Sequence, residues 1–278
     1  MNAPFFLALL TLLALSGIGR TAEAKRAISH ETLWLFKSVG SPAPSPNSRW
    51  VVMPVTESAY DEKDETANLW IVPGDGSTPP RRLTTAKGKE SSPAWSPDSL
   101  QLAFSAKRDG DEAGQIYVID IGGGEARRLT QLALGAHAPR WSPDGKTILF
   151  QASVHRGATN EASNKSVAEE RKKAKSKVRI YDGFPIRRWD KWLDDVQTHL
   201  FVIPADGSAL PRDLLAGTQL VQRRGFSGAF DEGAGDDLQP AWAPDSQSII
   251  FTATTNMDAA AYAEILDHLY EEIGRAHV

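Results

Sequence analysis

Four segments of this chain share one local grammar. They read Ser45-Pro46-Asn47-Ser48, Ser96-Pro97-Asp98-Ser99, Ser142-Pro143-Asp144-Gly145 and Ala243-Pro244-Asp245-Ser246. Each leads into an apolar stretch: Trp50-Val51-Val52-Met53, Leu102-Ala103-Phe104, Ile148-Leu149-Phe150 and Ile249-Ile250-Phe251. In the last three a tryptophan stands just before the turn, at Trp95, Trp141 and Trp242. A recurring turn-then-strand unit means that one supersecondary element is stacked several times, since a single copy cannot bury its apolar face alone.

Each unit has a second half. Leu69-Trp70-Ile71-Val72, Ile116-Tyr117-Val118-Ile119 and Leu200-Phe201-Val202-Ile203 are each followed by a Gly- or Asp-rich turn. Short basic runs come next, Arg81-Arg82-Leu83-Thr84 and Arg127-Arg128-Leu129-Thr130, with Arg212-Asp213-Leu214 in the third unit. β-branched and aromatic residues bounded by Gly, Asp and Ser read as strands joined by tight turns. A fourth copy of this half begins at Leu269-Tyr270.

The turn prolines Pro46, Pro97, Pro143 and Pro244 stand 51, 46 and 101 residues apart. The last interval is read as an insertion from about 153 to 198, between the paired strands of unit three. Its first part, 159 to 177, is rich in Glu, Lys, Ala and Ser and predicts a solvated helix over Ser166 to Lys175, acids before bases as the helix dipole favours. Its second part, 178 to 192, mixes aromatics and arginines. Two readings stay open there: a packed extension of the blade, or a lip whose Arg187 and Arg188 bind a carboxylate through their forked guanidinium donors. A second connection, 219 to 238, carries Gly225, Gly228, Gly233 and Gly235 with Asp231, Glu232, Asp236 and Asp237 and is read as a surface loop; its carboxylates fit no ordered calcium loop.

Units of about fifty residues that form four-stranded antiparallel sheets predict an all-β fold, a β-propeller. Three and a half blades do not close a ring, so the propeller over 25–271 is expected to be incomplete, with the partly helical insertion in blade three. Apolar residues from Phe5 to Leu15, followed by Ala22-Glu23-Ala24, predict a signal peptide over 1–24 and an exported protein, periplasmic or secreted, with no stable membrane span after cleavage. The final run Ile273-Gly274-Arg275-Ala276-His277-Val278 is the translation of a common sequencing adapter, so 272–278 is read as an artefact. Net charge is −4, which argues against a nucleic-acid partner. Cysteine is absent, which excludes disulfides, a thiol nucleophile and thiolate metal sites.

The chemistry-bearing motifs are few. No Gly-x-Ser-x-Gly elbow and no His-Glu-x-x-His zinc motif occurs, and neither a metal nor a cofactor is expected. Asp98, Asp144 and Asp245 are read as Asx-type turn closers rather than ligands. His199 and His268 are placed just before the second strands of units three and four and read as structural.

Trp-Ser-Pro-Asp-Gly before an apolar strand resembles both Tol-type translocation propellers and the propeller of prolyl oligopeptidase family serine peptidases. The segment from Tyr181 to Trp192, with His199-Leu200-Phe201-Val202 and Glu57-Ser58-Ala59-Tyr60-Asp61-Glu62-Lys63, is similar to acylaminoacyl- and dipeptidyl-peptidase-like members. That resemblance implies a propeller that gates peptide substrates ahead of an α/β-hydrolase domain bearing the catalytic triad. The domain is missing here, so no catalytic residue is assigned, and Glu169-Glu170 is left without a role. The alternative is a non-enzymatic Tol-type binding propeller.

Overall fold

The computed structural model describes residues 27–176, 178, 181, 186–188, 191–192, 196–229 and 237–273. They form an open arc of a β-propeller built from four antiparallel sheets. Blade two runs Glu90–Trp95, Gln101–Ala106, Gln115–Asp120 and Arg127–Arg128. Blade three runs His137–Trp141, Thr147–His155, Val196–Pro204 and Arg212–Asp213. In blade one, Lys37–Val39 and Ala43–Pro44 share one edge of Trp50–Glu57, followed by Thr66–Pro73 and Arg81–Arg82. Blade four pairs Ser227–Gly228, Ala241–Trp242 and Asp267–Ile273 with Ser248–Thr254.

The repeated turns work as their sequence implies. Asp98 Oδ1 accepts from Ser96 Oγ at 2.6 Å and from the Leu100 amide at 3.0 Å. Asp144 accepts from Ser142 Oγ and the Lys146 amide at the same distances, and Asn47 accepts from Ser45 Oγ at 2.8 Å and the Arg49 amide at 3.0 Å. The next residue takes the left-handed conformation: φ is 58° at Ser48, 62° at Ser99, 73° at Gly145 and 61° at Ser246. A side-chain oxygen closing on its own backbone is what lets so tight a turn repeat.

Above each turn the second and third strands meet in one register. Phe104 faces Tyr117, Phe150 faces Phe201 and Phe251 faces Tyr270, with ring centroids 6.0, 5.6 and 5.6 Å apart. Such pairs contribute about 0.5–1.5 kcal/mol beyond the area they bury. The core lies between blades rather than within them. Leu69 and Ile71 pack on Phe104 and Ile119, Ile116 and Val118 on Phe150 and Ile203, and Leu149 and Leu200 on Ile249 and Phe251.

Three details differ from the sequence reading. The insertion helix spans Glu161–Lys173, starting earlier than Ser166, because Asn160 and Ser163 form a reciprocal capping box. His199 and His268 lie inside their strands, opposite Ala152 and Ala253. The equivalent third-strand positions in blades one and two are Asn68 and Gln115, and each donates to a carbonyl in the turn that follows, Ala86 and Leu132; His199 meets Asp213 at 2.7 Å. The connection from 219 is more than a surface loop: Phe226, Ala229 and Leu238 are buried core residues of blade four, and Ser227–Gly228 joins its sheet. Residues 230–236 lie outside those described, as do 1–26, where the signal peptide is expected. Among the described residues no helix is long and apolar enough to cross a membrane.

Candidate functional site

The first strands of blades two and three each carry a bulge, between Ser91 and Ala94 and between His137 and Arg140. Each bulge holds a residue with positive φ directly before a proline: Ser92 at 52° before Pro93 and Ala138 at 51° before Pro139. Blade four repeats it with Gln239 at 46° before Pro240. A proline has no amide to give the ladder, and a left-handed residue turns the chain, so the strand peels away from its partner. Positive φ at non-glycine residues is uncommon and persists where the surroundings enforce it.

The peeled strands open a cavity of about 400 Å³ lined by Ser92, His137, Ala138, Gln151, Ser153, Thr198 and Asp237. It sits at the ends of the strands remote from the Ser-Pro-Asp turns. Gln151 is its fixed point. This buried amide donates to Asp237 Oδ1 at 2.7 Å and accepts from the Leu238 amide at 2.9 Å, tying blade three to blade four. Asp237 Oδ1 also accepts from the Gln239 amide at 2.8 Å. In blade two the corresponding residue, Ser105, accepts from the Ala138 amide at 3.2 Å. The lining thus offers three hydroxyls, an imidazole and a carboxylate, and among the described residues no lysine or arginine joins it. Such a surface can accept and donate hydrogen bonds to a polar group and offers a carboxylate to a cation.

The insertion braces this end of blade three. Asn164, buried in its helix, accepts from the His155 amide at 2.9 Å and donates to the Ser153 carbonyl at 3.3 Å, one residue of the cavity wall. Glu161 accepts from the Ala133 amide at 2.7 Å, and Lys172 pairs with Glu112 of blade two. Glu169 faces Lys165 and Lys173 at 3.9 Å in solvent-exposed pairs. Arg187 and Arg188 form a separate hairpin in which Arg187 pairs with Trp192 and Arg188 with Lys191. These strands form a two-stranded sheet of their own, and Arg187 is exposed and does not line the cavity. Of the acidic cluster between 231 and 237, only Asp237 is described; among the described residues no group of His, Asp and Glu is placed to hold a metal ion.

Blade two carries a second polar cluster at the same end. Glu90 is buried and pairs with Arg108 at 2.8 Å, and Thr84 Oγ donates to the same carboxylate. The Arg108 guanidinium lies 4.5 Å from the Tyr117 ring centre. Burial, together with the Asp111 carboxylate that accepts its hydrogen bond, pushes the Tyr117 phenol up to about 12. Burial also raises the Asp111 carboxyl, but the Tyr117 hydroxyl, the Arg108 amide and the Arg128 guanidinium outweigh it and hold the group below its ordinary value.

The sequence motifs singled out the arginine hairpin and missed the cavity. The available signal was an X-Pro dipeptide two residues before each tryptophan: Ser92-Pro93, Ala138-Pro139 and Gln239-Pro240.

Residues 27–181 match the family described as PD40, TolB beta propeller domain. A relative from Bacillus subtilis (strain 168), described as the uncharacterized peptidase YuxL, is 28% identical over 242 residues, covering 85% of this chain and 33% of the relative. Among solved structures, uncomplexed Pyrococcus horikoshii acylaminoacyl peptidase superposes with a TM-score of 0.55 at 16% identity, over 87% of this chain and 33% of that one. An oligogalacturonate lyase from Vibrio parahaemolyticus superposes with a TM-score of 0.50 at 16% identity, over 84% and 48%. The chain therefore spans one third of the length of the relative and of the peptidase. The two structural likenesses, a peptidase and a lyase, carry the fold and not the chemistry.

Proposed function

Since this chain belongs to the TolB β-propeller (PD40) family, we propose that it is the substrate-gating propeller of an exported serine peptidase, an exopeptidase that cleaves peptide bonds in oligopeptides. The observation that carries the reading is the 28% identity to a peptidase along 85% of the chain. The cavity suits the role, since its hydroxyls, imidazole and carboxylate can hold a polar peptide group. Bond cleavage belongs to an α/β-hydrolase domain following the propeller, and the propeller limits which peptides reach it.

The test uses the longer protein of which this chain is proposed to be part. That protein is expected to hydrolyse acyl- or dipeptidyl-p-nitroanilides and to lose activity with a serine-directed fluorophosphonate, while the 278-residue chain turns over neither. No hydrolysis by the longer protein overturns the reading. The family's description names TolB, which favours a second reading, a non-enzymatic Tol-type translocation or binding propeller. Capture of a folded partner by a longer protein that lacks a fluorophosphonate-reactive serine would establish it.

A further inference from the structure

The three junctions between blades are not held alike. At the turn end the indole of each tryptophan donates to a first-strand carbonyl of the preceding blade: Trp95 to Ala43 at 2.9 Å, Trp141 to Ala94 at 3.1 Å and Trp242 to Arg140 at 3.2 Å. Two junctions add a contact between turns, where Ser99 Oγ accepts from the Asn47 amide and Ser246 Oγ from the Asp144 amide. The junction between blades two and three lacks that contact, because Gly145 stands where the others have serine.

That same junction is the one the insertion helix Glu161–Lys173 crosses at the cavity end. Its first half is fixed to blade three and to the connection entering it. Asn164, 2% exposed, holds the His155 amide and the Ser153 carbonyl, and Glu161 holds the Ala133 amide. Its last turn reaches blade two, where Lys172 pairs with Glu112. Lys172 lies eight residues beyond Asn164, about 12 Å along a helix axis. Packed sheets stand roughly 10 Å apart, so the helix is long enough to step from one blade to the next. The two ends of this bridge differ in strength. Asn164 is buried, whereas the Lys172 and Glu112 side chains are 63% and 75% exposed. The Lys172 ammonium, with weaker pulls from Lys165 and Lys107, holds the Glu112 carboxyl below its ordinary value. An exposed pair nevertheless contributes little, and salt screens it.

We propose that the insertion helix is a releasable clasp on this junction, with Asn164 as its fixed end and the pair of Lys172 and Glu112 as its catch, and that release widens the cavity to admit a bulkier peptide. The cavity straddles the junction, since Ser92 comes from blade two and His137, Ser153 and Thr198 from blade three. Release does not part the blades. The apolar core between them remains, as does the Ala136 amide on the Gly114 carbonyl at 2.8 Å. The motion is therefore a local spreading at the rim, at the one junction whose turn end has no serine contact. Its use in admitting peptides rests on the gating role proposed above.

The chain has no cysteine, so a single introduced thiol reads the cavity. Thr198→Cys, at a wall position 8% exposed, is labelled with N-ethylmaleimide and with a bulky polyethylene-glycol maleimide. The ratio of the two rates measures the width of the mouth. On that background Lys172→Glu should raise the relative rate of the bulky reagent about fivefold, the upper end for an exposed pair. Adding Glu112→Lys should bring the ratio back toward the parent. Lys173→Glu makes the same charge change one residue on, at a side chain 79% exposed, and should leave the ratio unchanged. At about 1 M salt the parent and Lys172→Glu should converge, because screening removes attraction and repulsion alike. A ratio unmoved by Lys172→Glu, or moved equally by Lys173→Glu, overturns the proposal. Ser153→Cys repeats the measurement if circular dichroism shows Thr198→Cys to be unfolded. Labelling is read on the 278-residue chain without any hydrolysis. Failure of the peptidase reading therefore leaves the labelling ratio intact, and an immobile clasp leaves the peptidase reading standing.

Discussion

The two ends of the blades are made from the same strands and follow opposite logics. At the turn end, four near-copies of one motif satisfy their own backbone, and the tryptophans before the last three hook those blades to the ones before them. At the far end the blades diverge. One position is filled by the ion pair Glu90 and Arg108 in blade two, and its equivalent in blade three is Ala136 and Val154, both buried. The insertion, the bulges and the cavity all lie at this end. A stacked repeat needs one invariant end to propagate its geometry, and the other is then free to vary.

The largest effect expected from this contrast concerns the ion pair. Arg108→Val strands a carboxylate whose side chain is only 1% exposed, and breaking a buried pair from one side costs about 3–5 kcal/mol. The double change Glu90→Ala with Arg108→Val imports the apolar solution of blade three. It should recover most of that loss, because well-packed apolar replacements of buried pairs are often neutral. Denaturant melts of the single and double variants check this. A double variant as unstable as the single one would mean that the two blades are not interchangeable at this end.

The turn end was legible in the sequence because each of its residues acts locally. Ser96, Pro97, Asp98 and Ser99 make a turn whose hydrogen bonds span two to five residues, and the pattern is written four times. The order of strands within each blade followed from it. The cavity was not legible, because Gln151, Asp237 and Ser92 come from three blades and meet only through stacking. The insertion was recognised as partly helical, but its start was misplaced since Asn160 as a cap looks like any loop asparagine. Arg187 and Arg188 stood out by composition, a property that says nothing of where a hairpin projects.

A smaller effect separates the turns from one another by pH. The Ser96 hydroxyl and then the Leu100 amide hold the Asp98 carboxyl below its ordinary value, and the Ser142 hydroxyl and Lys146 amide do the same for Asp144. A depressed folded value means that the contribution is fully present above the ordinary aspartate range and is lost as pH falls through the lowered values. Blade one makes the same turn with Asn47, which does not titrate. The double variant Asp98→Asn with Asp144→Asn should therefore lose less melting temperature than the parent as pH falls from about 5 to about 2, a window that opens above the ordinary aspartate value and runs downward in the direction of both shifts. Thermal melts across that window read it directly, and identical acid losses would show that the turn carboxylates contribute nothing to folding.

The smallest effect tests whether the turns are equivalent at all. Ser99 and Ser246 reach back to the amides of Asn47 and Asp144, but Gly145 has no side chain to offer Asp98. Gly145→Ser would supply the missing acceptor. Its Cβ would lie 3.6 Å from Pro97 Cδ, an ordinary contact. Serine in the left-handed conformation costs about 1–2 kcal/mol relative to its preferred backbone, and one more hydrogen bond returns about 0.5–1.5 kcal/mol. The three serines already held at φ near 60° show that the turn accepts this geometry. The net change should fall within about 1 kcal/mol, a shift of roughly 2–4 °C in Tm for a chain of this size. Hydrogen exchange gives the sharper readout, because the Asp98 amide should slow if the new hydroxyl engages it. A loss of several kcal/mol, or an amide that exchanges as before, would mean that the junction between blades two and three departs from the rule followed by its neighbours.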